Sequence, residues 1–313
     1  MEKEARTKSI DMAGLSNLYT DIIVSVGDGE LEKLGVKKGS WTSAKKVDGK
    51  ILEEVVRGKE RRVCYAGSPA NTVFNCANLG LATMMFGSLG QDEIGRGYRE
   101  ELQRAGIKQN IASVCGKSGM IYALISLDGE RTFIAEKGVA GNFGFDYRDL
   151  KDVRLLHTSA YELETNKEVT KRCIKMVKEN GGEISFDMAG VSSVRSMRGE
   201  IENILGDVDI MFITEEEAEE FGGESPYKVF KKLSKVCGKV ALKKGACGSS
   251  VREGCREYHI PIYETKVVTT CGAGDGYAAG FLFGYLKDFS IKGCGEWGSE
   301  VASNVCGIID SHL

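Results

Sequence analysis

The stretch with the most evident chemical capacity is Thr269-Thr270-Cys271-Gly272-Ala273-Gly274-Asp275-Gly276-Tyr277. A glycine-rich turn runs into an apolar segment, with a carboxylate at the junction. If that junction is a helix N-terminus, the N–H groups of Gly272, Ala273 and Gly274 converge where the helix dipole is positive. Such a site receives an anion without a basic side chain. An acid beside an anion site is electrostatically unfavourable unless it has a task there. Taking a proton from a hydroxyl that attacks phosphorus is such a task. Taken alone, Gly-Ala-Gly-Asp is equally compatible with an ordinary strand–helix turn.

The two common nucleotide loops are absent. Gly116-Lys117-Ser118 ends like a mononucleotide loop, but Ile111 stands where its first glycine is required. After Gly14-Leu15-Ser16 no further glycine is placed for a dinucleotide fingerprint. Gly276, Gly280 and Gly284 fall on one face of the proposed helix. Each interior glycine costs about 1 kcal/mol relative to alanine, so the stripe predicts close packing, here of helix on sheet rather than ligand contact. His157, His259 and His312 lie too far apart for metal-ligand spacing. The ten cysteines include no Cys-x-x-Cys and read as small buried residues in a reducing compartment.

The elements that must position these residues follow from composition and periodicity. With 42 basic and 45 acidic residues spread evenly, neither nucleic acid nor an acidic membrane is expected as main partner. No apolar run reaches membrane-spanning length, and Met1–Arg6 lacks the apolar core of a signal peptide, so a cytoplasmic protein is expected. Strands are predicted at 9–15, 21–26, 61–65 and 83–86, with helices at 30–34, 70–79 and 98–105. Asp128-Gly129 between 121–127 and 131–135 is a hairpin signal. From Leu155 the pattern becomes regular: strands at 155–159, 183–186, 209–213 and 239–242 alternate with helices at 169–179, 194–205, 215–221 and 227–237. That alternation implies parallel βαβ units whose ligands bind at the carboxyl ends of the strands. Ser16-Asn17, Gly67-Ser68, Asp187, Thr214 and Gly245 all follow predicted strands and can share one crevice.

Gly272–Asp275, together with Ala66-Gly67-Ser68-Pro69-Ala70-Asn71, resembles the two signatures of the PfkB (ribokinase-like) carbohydrate kinases. The likeness continues in order through Phe86–Gly95, Gln103–Ile107, Thr214–Ala218 and Lys243–Gly248. Ser16–Asp21, Leu34–Ser40, Phe186–Met188 and Ile210–Thr214 look most like the adenosine-kinase-like branch. The resemblance implies one domain over 1–313. Its fold would be a doubly wound, mainly parallel α/β sheet with helices on both faces. A small β lid would be formed by segments within about 18–65 and 111–138. It also implies magnesium-bound ATP as co-substrate, a nucleoside or sugar as acceptor, and a monomer or homodimer.

On the matching positions, Asp275 would act as general base, with Gly272, Ala273 and Gly274 as the anion hole. Asp21 would accept hydrogen bonds from ribose hydroxyls. Asn17, Gly67, Ser68, Asn71 and Arg131 would complete the acceptor site. Lys243, Gly245, Gly248 and Asn304 would lie along the nucleotide, and Glu217 would position magnesium through water. Phe133 and Tyr161 are the aromatic candidates for stacking on a base. Four positions depart from the family pattern. Thr269 replaces an aspartate associated with monovalent-cation binding, which puts potassium activation in doubt. Thr214 replaces the asparagine of Asn-x-x-Glu. Ala66 replaces the first glycine of a hinge, and Lys243 a frequent threonine. The expected activity is phosphorylation of the 5′-hydroxyl of adenosine or a related purine nucleoside. The alternatives are a free-sugar kinase, or a silent sugar- or nucleoside-binding sensor.

Overall fold

The structure, a computed structural model, describes residues 8–308 and 312–313. The first third holds β1 (Ile10–Leu15), β2 (Tyr19–Ser25), α1 (Asp28–Lys33), β3 (Trp41–Ser43), α2 (Gly49–Val56), β4 (Arg62–Ala66) and α3 (Ser68–Asn78). Next come β5 (Thr83–Gly90), α4 (Glu93–Arg104), β6 (Lys108–Val114), β7 (Gly119–Ile125) and β8 (Arg131–Glu136). The regular half contains β9 (Val153–Ser159), α5 (Ala160–Thr165), α6 (Lys167–Glu179), β10 (Glu183–Asp187) and α7 (Val191–Ile204). It continues through β11 (Ile210–Thr214), α8 (Glu215–Gly222), α9 (Pro226–Leu233) and β12 (Lys239–Lys243). β13 (Ser249–Glu253), β14 (Arg256–Ile260), α10 (Ala273–Leu286) and α11 (Ile291–Cys306) complete it.

Nine strands form the large sheet in the order β14-β13-β12-β11-β10-β9-β1-β5-β6. Pairings from β12 through β6 are parallel, and β13 and β14 add an antiparallel edge. Both faces are covered, so the strands are buried on both sides rather than alternating polar and apolar. Met211 and Ile213 join Val177, Ile201 and Phe230 in one cluster, while Ile210 and Phe212 join Phe74, Phe281 and Leu282 in the other. From β1 the chain proceeds to β5 on one side and later to β9 on the other. This opens a crevice at the strand ends, where ligands of doubly wound sheets bind.

The second sheet has five strands, in the order β3-β8-β7-β2-β4. Its outer face packs Ile22, Val24, Leu124 and Ile134 against Leu31 of α1 and Leu52, Val55 and Val56 of α2. The Asp128-Gly129 hairpin joins antiparallel β7 and β8, with Gly129 at φ +85°. Residues 111–114, expected in this sheet, instead belong to β6 and extend the large sheet beside β5.

Other expectations also change. The helix expected to run to Cys237 ends at Leu233, where Ser234 takes the C-cap. The glycine stripe of α10 faces a helix rather than the sheet. A Cβ at Gly276 would stand 2.9 Å from Val305, one at Gly280 2.2 Å from the Trp297 carbonyl oxygen, and one at Gly284 3.1 Å from Cys294 Cα. All three neighbours are on α11, so the stripe lets two backbones touch. α11 itself carries glycines at 293, 295 and 298, and buries Ile291, Cys294, Val301 and Val305 at helical spacing. Among the described residues no helix is long and apolar enough to cross a membrane.

Candidate active site

The chain enters α10 through Gly272, the N-cap, at φ +75°. That left-handed conformation favours glycine. The Ala273 N–H turns back to the Thr270 carbonyl at 3.3 Å. Among the described residues the N–H groups of Gly272 and Gly274 have no backbone acceptor. The expected three-donor anion hole is therefore open at two positions, with Ala273 engaged in the turn.

Asp275, in the first turn, is held from α3. Ser68 Oγ donates to Oδ1 at 2.7 Å, and Asn71 Nδ2 donates to Oδ2 at 2.8 Å. Thr72 Oγ1 adds a bond to the Asp275 carbonyl at 3.3 Å. α3 can supply these groups because its N-cap Gly67 adopts φ +135°, and a Cβ there would come within 2.4 Å of the Asn17 carbonyl oxygen. The glycine needed at this hinge is thus Gly67. Ala66 ends β4 paired with Tyr19 and has no positive φ, so alanine carries no backbone penalty there. Burial raises the Asp275 pKa to about 7 against the opposing bonds from Asn71 and Ser68, with the Asp187 charge adding to the rise.

Facing the same turn is an ammonium group. Lys243, the last residue of β12, brings Nζ to 3.4 Å from where a Gly274 Cβ would stand. It donates to Asp187 Oδ2 at 2.7 Å, and the two side chains are only 12% and 3% exposed. Asp187 Oδ1 accepts from the Ala189 N–H at 2.9 Å, and Ala189 takes φ +58°, a strained value for a non-glycine residue. Burial disfavours the Lys243 ammonium, but Asp187 and Glu217 outweigh it and hold the pKa above the usual lysine value. Glu217 closes a capping box: its Oε2 accepts from the Thr214 N–H at 2.8 Å, and its own N–H donates to Thr214 Oγ1 at 3.2 Å. Thr214 therefore spends its hydroxyl on the helix. Burial raises the Glu217 pKa and Lys243 opposes it.

Asp21 lies on the inner face of the second sheet. Its Oδ1 is buried without a partner among the described residues. Burial raises its pKa to about 7, with Arg131 pulling the other way. Asp21, Cys64, Arg131, Phe133 and Cys271 line a cavity of about 20 Å3 between the sheet and the turn. Arg131 Nη2 crosses to Thr269 Oγ1 at 2.5 Å, and the same oxygen accepts the Cys271 N–H at 3.1 Å. Arg131 thus ties the second sheet to the chain that leads into α10.

The remaining candidates are more dispersed. Asn17 is buried, but its Nδ2 turns to Thr165 Oγ1 (3.1 Å) and the Tyr161 carbonyl (3.3 Å), anchoring α5. Gly245 and Gly248, at φ +53° and +79°, shape the turn between β12 and β13. Asn304 is exposed on α11. Tyr161 follows β9, with the Glu217 and Asp275 charges near enough to reinforce its burial-raised pKa. Sequence reading missed Glu162, whose carboxylate accepts from the Asn17 N–H at 2.9 Å and Ser159 Oγ at 2.5 Å. Burial raises its pKa to about 7. The signal was available: Ser159-x-x-Glu162 has capping-box spacing. Among the described residues no cluster of three or more His, Cys, Asp or Glu could hold a metal.

A glycine-capped helix start, a carboxylate held by two donors, and a second sheet facing them across a crevice define a phosphoryl-transfer enzyme of doubly wound architecture. Residues 41–308 match the pfkB family carbohydrate kinase, and the chain belongs to that family. It is a sugar or nucleoside kinase that transfers phosphate to an alcohol. An uncharacterized sugar kinase of Archaeoglobus fulgidus is 29% identical over 72% of this chain and 92% of its own length. An ATP-dependent ribose-1-phosphate kinase of Halopiger xanaduensis is 26% identical, covering 80% of this chain and 81% of that one. The crystal structure of adenosine kinase from Sinorhizobium meliloti superposes with a TM-score of 0.86 at 24% identity, over 97% of this chain and 96% of that one.

Proposed function

We propose that the protein transfers the γ-phosphoryl group of ATP to the 5′-hydroxyl of adenosine or a related purine nucleoside. The observation that carries this reading is the Asp275 carboxylate, fixed by Ser68 and Asn71 beside the open N–H groups of Gly272 and Gly274. The acceptor hydroxyl gives its proton to Asp275 while its oxygen forms the new P–O bond. The bond from the γ-phosphorus to the β-phosphate oxygen breaks, and ADP leaves. The two N–H groups and the Lys243 ammonium stabilise charge on the transferring oxygens. Asp21, with an uncommitted oxygen, accepts from the ribose hydroxyls. The second sheet closes as a lid, and Arg131 fixes its position over the turn.

Magnesium fits this site as a guest of the phosphates rather than in a cage. Glu217 leaves Oε1 for a metal-bound water, in keeping with an ion that retains several waters and uses few carboxylates. When bound with ATP it would neutralise β- and γ-phosphate charge. The nucleoside reading is supported by the overall likeness to an adenosine kinase and by the rings of Phe133 and Tyr161 at the crevice. The ribose-1-phosphate kinase among the relatives favours a second reading, in which a sugar or sugar phosphate is the acceptor. Incubation with magnesium-ATP and a panel of nucleosides, sugars and sugar phosphates separates the two. Adenosine is expected to give the highest kcat/KM; a sugar or sugar phosphate that reacts tenfold better would overturn the nucleoside assignment.

A further inference from the structure

We propose that a groove on the outer side of the second sheet is a second nucleotide-binding site, separate from the crevice. The groove has a volume of about 940 Å3, within the range of about 300–1,000 Å3 typical of small-molecule sites. α2 forms one wall, the ends of β7 and β8 the other, and the turn after β3 closes one end. Side chains alternate across a strand. Along β7, Tyr122 joins the groove, whereas Ala123 and Ile125 line the small cavity beside Asp21. The groove and that cavity share no lining residue.

The chemistry of the walls selects the ligand. Trp41 presents an indole that is 62% exposed, at the groove edge, and Tyr122 adds a half-buried ring. Four cations, Lys45, Arg61, Lys117 and Lys137, face two carboxylates, Glu53 and Glu136. Only Lys117 of the four has an acidic partner among the described residues, Glu136 at 3.7 Å. Lys45, Arg61 and Lys137 make no ion pair or side-chain hydrogen bond among those residues. Uncommitted cations beside an exposed ring suit a ligand with both phosphate and a planar base. The carboxylates can accept from ribose hydroxyls or a base amino group. One strand links groove and crevice: β8 carries Glu136 to the groove and Arg131, on its other face, to the cavity beside Asp21. An occupant bridging α2 and the sheet would bias where Arg131 sits.

The test counts ADP bound per full-length chain by equilibrium dialysis, in the wild type and in a K45E/R61E/K137E variant. The variant is expected to bind one equivalent fewer than the wild type while kcat and the KM for ATP stay within about twofold. An unchanged count overturns the proposal. So does loss of an equivalent together with ATP turnover, because the groove would then be part of the catalytic site. If the triple variant does not fold, K45E and K137E are tested singly, and each should weaken the second equivalent at least fivefold. Unchanged affinity in both overturns the assignment.

Discussion

Replacing Asp275 with asparagine removes the proposed proton acceptor and leaves its surroundings nearly intact. An asparagine amide oxygen can take the bond from Asn71 Nδ2, and its NH2 can donate to Ser68 Oγ, since a hydroxyl accepts as readily as it donates. The contact between α3 and α10 should therefore survive. What is lost is general-base catalysis, about 10²–10⁴-fold, or roughly 2.7–5.4 kcal/mol of barrier. Phosphate transfer from labelled ATP is expected to fall by that factor, with acceptor affinity changed little. Two pH effects follow from the raised pKa. A base must be ionised to act, so wild-type kcat/KM should climb as pH rises through about 7. For stability the sign is opposite. Between the ordinary value of 3.8 and about 7 the folded state holds a proton that the unfolded state has released, so stability falls across that window. The full shift corresponds to about 4 kcal/mol, discounted because the carboxylate is partly exposed. Asp275→Asn should flatten this slope and raise Tm at pH 8. A loss of activity under tenfold would refute the base assignment.

Other perturbations probe the surroundings. Asp21→Asn should raise acceptor KM about 10- to 100-fold, the equivalent of one or two bonds to a charged group, with kcat less affected; an unchanged KM would remove Asp21 from the acceptor site. Lys243→Met strands Asp187 in a buried site and should cost about 3–5 kcal/mol in thermal or denaturant unfolding. Adding Asp187→Asn should recover much of that stability but not kcat, and a double variant no more stable than the single one contradicts the pairing. Gly280→Ala places a Cβ against the Trp297 carbonyl and should destabilise by about 1–3 kcal/mol, measured by chemical denaturation. Because the Thr269 hydroxyl is committed to Arg131 and the Cys271 N–H, titration with potassium chloride against sodium chloride should leave activity flat; a steep rise with potassium would show another cation site.

What could be read in the sequence was local or periodic. The Gly272–Asp275 turn, the Asp128-Gly129 hairpin and the βαβ rhythm after Leu155 are each written in adjacent residues. The contacts that complete the site are not. Asp187 and Lys243 lie 56 residues apart, and their pairing across β11 depends on sheet order. Ser68 was placed near the acceptor, but that it holds Asp275 follows only from α3 packing on α10. β3 is too short to show a period. β13 ends in Arg252 and Glu253 and β14 begins with Arg256 and Glu257, charged residues that mask their pairing. The α10 glycines announced a close neighbour, but it is α11 and not the expected sheet; the answering glycines of α11 look like helix breakers.

That contact between α10 and α11 has a mechanical consequence. The Cys306 carbonyl, at the end of α11, accepts the N–H groups of Val268 and Thr269, just upstream of the Gly272–Asp275 turn. α11 therefore braces α10 along its length and tethers the strip of chain that leads into it. The last helix works as a strut beneath the Gly272–Asp275 loop. Fraying of its final turn would release Val268 and Thr269 and, with them, the start of the loop.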